Sequence, residues 1–246
     1  MGKIYFGLVK LPVISVILFF CCCLTAALIH PGTEKEIINF KMDRYSFTHN
    51  FLSELGSFKT NTDEINPFII QKDNTPSMLL FNGSLILIGA TLIFFYIQFK
   101  EIFIKINDTD KTIKYAAFTR PLGLLSGVLY AGVGFVPHDL NFGAHVFFAN
   151  SAFLTLFFLC IFHSISIYHS KFISNRYTLG YLSFCLVLFF YLRIIFFGTK
   201  IGPGESFTES DLMLQVISQK LIVLIFMFSI LFQVYGFNKL IKKRID

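Results

Sequence analysis

Six long apolar runs constrain this chain more than any other feature. A bilayer core about 30 Å thick takes about 20 residues of helix to cross. Leu11 to Ile29 is uncharged over 19 residues, and further runs occupy 78–99, 115–136, 144–167, 177–197 and 212–237. In hydrocarbon the backbone must satisfy its own hydrogen bonds, so runs of this length are helices. The expectation is an all-α membrane protein: a single six-transmembrane-helix bundle over residues 1–246, with a long loop at 30–77. The first run exceeds the apolar core of about 7–15 residues in a secretory signal peptide, so it is read as an uncleaved helix.

Composition excludes the main alternatives. Of the 246 residues 54% are hydrophobic and 15% charged, against about 45–50% and about 25% in soluble domains. Too little polar surface exists to coat a water-soluble globule of this size. The net charge of +6 could suggest nucleic acid, but no phosphate loop, zinc-finger spacing or basic helix with interleaved aromatics is present. No nucleic-acid partner is expected; membrane lipids are. The five Cys lie inside apolar runs, as Cys21, Cys22, Cys23, Cys160 and Cys185, and read as small apolar side chains.

The basic residues are grouped in the short segments between runs, where they encode orientation. Twelve lie in the N-terminus, the second and fourth loops and the tail, from Lys3 to Arg244. Six lie on the other side, among them Lys35, Lys59 and Lys200. Both termini are therefore expected in the cytoplasm, which means the cytoplasmic membrane in a prokaryote. Gly123, Gly127 and Ala131 recur every four residues of the third run, a stripe that lets a neighbouring backbone approach.

This orientation gathers the unusual polar residues at the outer face. The first loop carries His49 and Glu54, the third His138 and Asp139, and His145 opens the fourth helix. Imidazole and carboxylate together suit Zn²⁺, with His49, Asp139 and His145 as ligands and Glu54 as general base. Without metal the same four residues could serve as acid and base. No His-Glu-x-x-His spacing supports the metal, and hydrogen-bonded loop structure is the bland alternative. Arg193, Lys220, Gln219, Gln215, Asn82 and Tyr130 lie in the outer halves of the helices. They could line a pocket for an anionic headgroup, with Arg193 and Lys220 as its cationic wall. Either cation could instead snorkel to the headgroups, or be neutralised by Asp139 or Asp211. His30 reads as a residue at headgroup level. Haem is not expected: His145 and His163 bracket one helix, and the other runs hold no His to face them.

Tyr45-Ser46-Phe47-Thr48-His49-Asn50-Phe51-Leu52-Ser53-Glu54-Leu55-Gly56 resembles the His-x-x-x-Ser-Glu-Leu-Gly element after the first helix of the domain-of-unknown-function family 998. Phe81-Asn82 resembles its next marker. Gly132 to Asp139, followed by His145, is similar to its Gly-x-Phe-Pro-x-Asp…His element. The resemblance covers roughly residues 45 to 150. It implies a six-helix membrane protein, more distantly like the DRAM, Frag and Sfk group, which is linked to lipid remodelling and membrane-lipid asymmetry. Three functions stay open: binding or organising lipid headgroups, metal-assisted hydrolysis or transfer on a headgroup, and transport of a small solute.

Overall fold

The computed structural model describes residues 1–245, with side chains through Lys243; Arg244 of the basic tail thus falls outside the described side chains. Among the described residues the regular secondary structure is helical apart from one small hairpin and an isolated bridge between Lys59 and Asp73. Its six long helices are α1 (Gly2–Ile29), α2 (Thr75–Lys105), α3 (Asp110–Phe135), α4 (Phe142–Tyr168), α5 (Arg176–Phe197) and α6 (Glu209–Ile245). All six are long and apolar enough to cross a membrane. The first contains one π-helical turn at Phe6–Lys10.

The helices overshoot the apolar runs that announce them. At 1.5 Å per residue, α2 is about 46 Å long and α6 about 55 Å, well beyond a hydrocarbon core of about 30 Å. Hydropathy marks only the hydrocarbon-matched stretch, whereas backbone hydrogen bonding carries a helix on into polar surroundings. Polar ends such as Lys100–Lys105 and Asp110–Lys114 are therefore helical, although the sequence pattern assigns them to a loop.

Successive helices pack as antiparallel neighbours, and α6 returns against α1. The closest approach is between α2 and α3. A Cβ on Gly127 would lie 2.5 Å from the Gly89 carbonyl oxygen, and one on Gly89 would lie 2.8 Å from the Ala131 nitrogen. The small-residue stripe of α3 thus meets a glycine on α2. Towards the termini, Phe95, Tyr96, Phe99, Phe103, Tyr181 and Phe237 fill the core completely. His163 sits among these rings, its nitrogens 3.2 Å from Tyr96 Oη and 3.3 Å from Gln233 Oε1. The outside is strongly apolar, with Leu28, Phe135, Leu186 and Phe197 more than half exposed. Such a surface suits hydrocarbon rather than water.

The segment between α1 and α2, expected as a long loop, has an internal framework. Strands β1 (Thr33–Lys35) and β2 (Phe40–Met42) form an antiparallel hairpin, and a 3₁₀ turn covers Leu52–Gly56. This segment caps the bundle at the end opposite the termini.

Gly127→Val should lower the thermal midpoint in detergent by the equivalent of about 1–3 kcal/mol, because a branched side chain has no room against Gly89. Gly83→Ala, whose added Cβ meets nothing within 4 Å, should be neutral or mildly stabilising. Equal midpoints for the two variants would contradict the α2–α3 contact.

Candidate functional site

The capping segment is held by side chains reaching its backbone. Asn74, which precedes α2, donates from Nδ2 to the Ser57 carbonyl at 2.9 Å and to the Glu54 and Leu55 carbonyls at 3.3 Å. Ser77 donates to the Leu55 carbonyl at 2.9 Å, and Asn82 to that of Gly56 at 3.0 Å. From α6, Gln219 Oε1 accepts the Leu52 N–H at 2.8 Å, and Lys220 Nζ donates to the Asn50 carbonyl. The same ammonium stands 5.3 Å from the Tyr45 ring centroid. Tyr45 Oη lies 3.1 Å from the carbonyls of Asn50 and Phe51. A backbone without regular secondary structure is thereby satisfied group by group, as burial requires.

The residues expected to share a metal are each committed to a different task. His49 Nε2 lies 2.9 Å from Glu209 Oε1 in the first turn of α6, and its Nδ1 lies 2.8 Å from Thr48 Oγ1. Its ring is stacked on Phe40 at 3.9 Å. Asp139 Oδ2 accepts the N–H groups of Phe58 and Lys59 at 2.9 and 3.1 Å. His145 Nδ1 donates to the Val136 carbonyl at 2.7 Å. Among the described residues no group of three or more His, Cys, Asp or Glu could hold a metal ion. His49, Asp139 and His145, expected as Zn²⁺ ligands, are thus not gathered at one point, and each holds a different partner.

Glu54 is the best-organised acid in the segment. Its carboxylate accepts the Phe51 N–H at 2.8 Å and the Asn50 amide at 2.6 Å, and pairs with Lys35 Nζ at 3.2 Å. Burial pushes its pKa up, but Lys35, His138 and these two donors outweigh that, and the net effect is below the ordinary value. The carboxylate is thus held ionised. Asp63 lies 3.8 Å from His138 Nε2. Burial raises the pKa of Asp63 above the ordinary value, outweighing the opposing pull of His138.

Beside Glu54 opens a cleft of about 840 Å³. One wall is the capping segment, from Lys35 to Ile37, Phe51 to Glu54 and Asp63 to Ile65. Opposite stand the loop Thr199–Phe207 and the first turns of α6, and the floor is Val146, Ala149, Phe153, Tyr191 and Ile195 of α4 and α5. The cleft is polar at one end and apolar at the other. His145 lines it, and with Nδ1 donating to Val136 its Nε2 carries the lone pair. No group among the described residues bonds that nitrogen.

Of the expected pocket residues, Glu54, His145, Gln215 and Gln219 line this cleft. Gln215 also donates to the Thr199 carbonyl, fixing the opposite loop. Lys220 and Asn82 serve the capping segment instead. Tyr130 is buried against Phe153 and Phe226, and Arg193 is exposed outside the lining. Of the two cations expected to form a wall, Lys220 thus meets a carbonyl and a ring, and Arg193 lies exposed outside the lining. Lys35, Asp63, His138, Phe153 and Tyr191 are lining residues that sequence reasoning missed or ranked low. Only the apolar partners had a signal, the runs themselves; the loop residues are brought in by tertiary contacts.

His30 corrects a further expectation. It is 4% exposed, packs edge-on against Tyr45, and its Nδ1 accepts the Gly32 N–H at 3.2 Å. Burial lowers its pKa to about 4 from an ordinary 6.5. A His kept neutral by the fold contributes stability that is complete above about pH 6.5 and is lost as pH falls towards about 4. The loss across that window should be on the order of 3 kcal/mol, at 1.36 kcal/mol per pH unit. His30→Asn retains an acceptor for Gly32 and should flatten that part of the midpoint-versus-pH curve. An unchanged slope between pH 6.5 and 4.5 in the variant would refute the assignment. No protein-family model, curated protein or solved structure matches this chain.

Proposed function

We propose that this chain is an integral membrane protein that binds the headgroup of a membrane amphiphile in the cleft beside Glu54. The observation that carries the reading is the cleft's division into a charged end and an apolar end. Glu54, Lys35, Asp63 and His138 stand at one, and Phe153, Tyr191 and Ile195 at the other. Ligand sites are mostly apolar with a few placed polar groups; an amphiphile matches both ends at once. With twelve basic residues on the terminal side and six on the other, the termini are cytoplasmic in this reading and the cleft opens at the outer leaflet. Kinship with family 998 belongs to the same proposal.

A catalytic reading has one specific observation in its favour. His145, whose Nδ1 donates to the Val136 carbonyl, lines the same cleft as the ionised Glu54. An imidazole so oriented can take a proton from a hydroxyl or water. Turnover of a bound lipid that ceases in His145→Gln would establish that role. Transport has no comparable support, since packed rings close the bundle towards the termini.

Ala149→Trp would place an indole on the apolar floor, at a half-buried position that already faces open space. Native mass spectrometry should show lipid retained by the wild type and at least about tenfold less retained by the variant, with little change in thermal midpoint. An identical lipid complement in both proteins would overturn the proposal.

A further inference from the structure

The charges around the cleft have a sign, and that sign bears on the ligand. Five carboxylates line it, from Glu36, Glu54, Asp63, Glu64 and Glu205, against the ammonium groups of Lys35 and Lys200. Lys35 is consumed by Glu54 at 3.2 Å, and Lys200 stands across the cleft on the exposed loop. The nearer cations lie elsewhere: Lys41 is bound to Glu34 at 2.7 Å, and Lys220 serves Asn50. An anionic group entering the charged end would thus meet an excess of negative charge. Burial also raises the carboxyl pKa values of Asp63 and Glu64, against the opposing pull of Lys35 on both and of His138 on Asp63.

An independent observation comes from His138. The residue is 8% exposed and lines the cleft, and its Nδ1 is buried without a hydrogen-bond partner. Its Nε2 stands 3.8 Å from the Asp63 carboxylate, beyond hydrogen-bond distance. A buried ring nitrogen without a partner, set among several carboxylates, suits an N–H donor that is itself positively charged. Phe51 and Phe142 line the same cleft, and aromatic rings attract ammonium groups.

We propose that the cleft selects a headgroup carrying a cationic amine, with the ammonium seated among Glu54, Asp63 and His138. The inference rests on the amphiphile-binding reading and narrows it to a chemical class. In a zwitterionic headgroup the accompanying phosphate would point away from the acids, towards Lys200. The amine could also belong to a free small molecule, and the two sources are separable.

The test uses the full chain in detergent, offered phosphatidylethanolamine, phosphatidylcholine and phosphatidylglycerol at equal concentration and read by native mass spectrometry. Phosphatidylethanolamine should be retained at least about tenfold over phosphatidylglycerol, and over phosphatidylcholine, whose quaternary nitrogen has no N–H to give His138. Asp63→Asn with Glu64→Gln should erase most of that preference, and Glu64→Lys, on the exposed side of the cleft, should move it towards phosphatidylglycerol. Retention of phosphatidylglycerol equal to or above that of phosphatidylethanolamine in the wild type would overturn the proposal. A second arm offers free ethanolamine, read by the shift in thermal midpoint. Binding of the free amine without any lipid would support the amine site while overturning the amphiphile reading. Binding of neither lipid nor free amine would overturn both.

Discussion

Everything at the capped end of this bundle depends on one requirement: the buried backbone of residues 45–57 must find hydrogen-bond partners outside regular secondary structure. A polar backbone group left unpaired in such a place costs about 1–3 kcal/mol, and several in a row would expel the segment into solvent. Asn74, Ser77 and Asn82 answer from the start of α2, and Gln219 and Lys220 from α6. The segment thereby becomes a fixed wall, and the cleft exists because that wall stands away from α4 and α5.

The same requirement decides the electrostatics. An ammonium as deep as Lys220 needs a partner, and it finds a carbonyl and an aromatic ring rather than a ligand. With that cation internalised, the charges that remain around the cleft are mainly carboxylates. Glu54 is the exception among them, since Lys35, Asn50 and the Phe51 N–H neutralise or solvate it. Its role is double: it braces the 3₁₀ turn and presents one ionised oxygen pair at the charged end of the cleft. His145, whose ring proton is fixed by the Val136 carbonyl, and His138 then supply two imidazoles.

The helical framework was legible because hydrocarbon imposes a length and an apolarity that a sequence displays directly. The small-residue stripe was legible for the same reason, as a local spacing on one face of α3. Helix ends were less so: nothing in hydropathy distinguishes a polar helix extension, such as Lys100–Lys105, from a loop. The cleft's location at the Glu54 and His145 end followed from charge placement. Its composition did not, because partner choice is decided across long separations: Lys220 bonds a carbonyl 170 residues away and His49 a carboxylate 160 residues away. Residues singled out for chemistry, such as Asp139 and His49, proved to be staples. Their side chains suit metal ligation and backbone capping equally, and only position separates the two.

Hydrogen–deuterium exchange on the purified protein tests the central claim most directly. If the capping segment is pinned as described, the amides of Ser46, His49, Phe51 and Leu52, all hydrogen-bonded to side chains, exchange far more slowly than those of the exposed stretch 65–70. Lys220→Met should release protection across 46–52 while leaving the helices unchanged. Exchange of 46–52 as fast as that of 65–70 in the wild type would contradict the account, because a mobile segment cannot form the wall of a selective cleft.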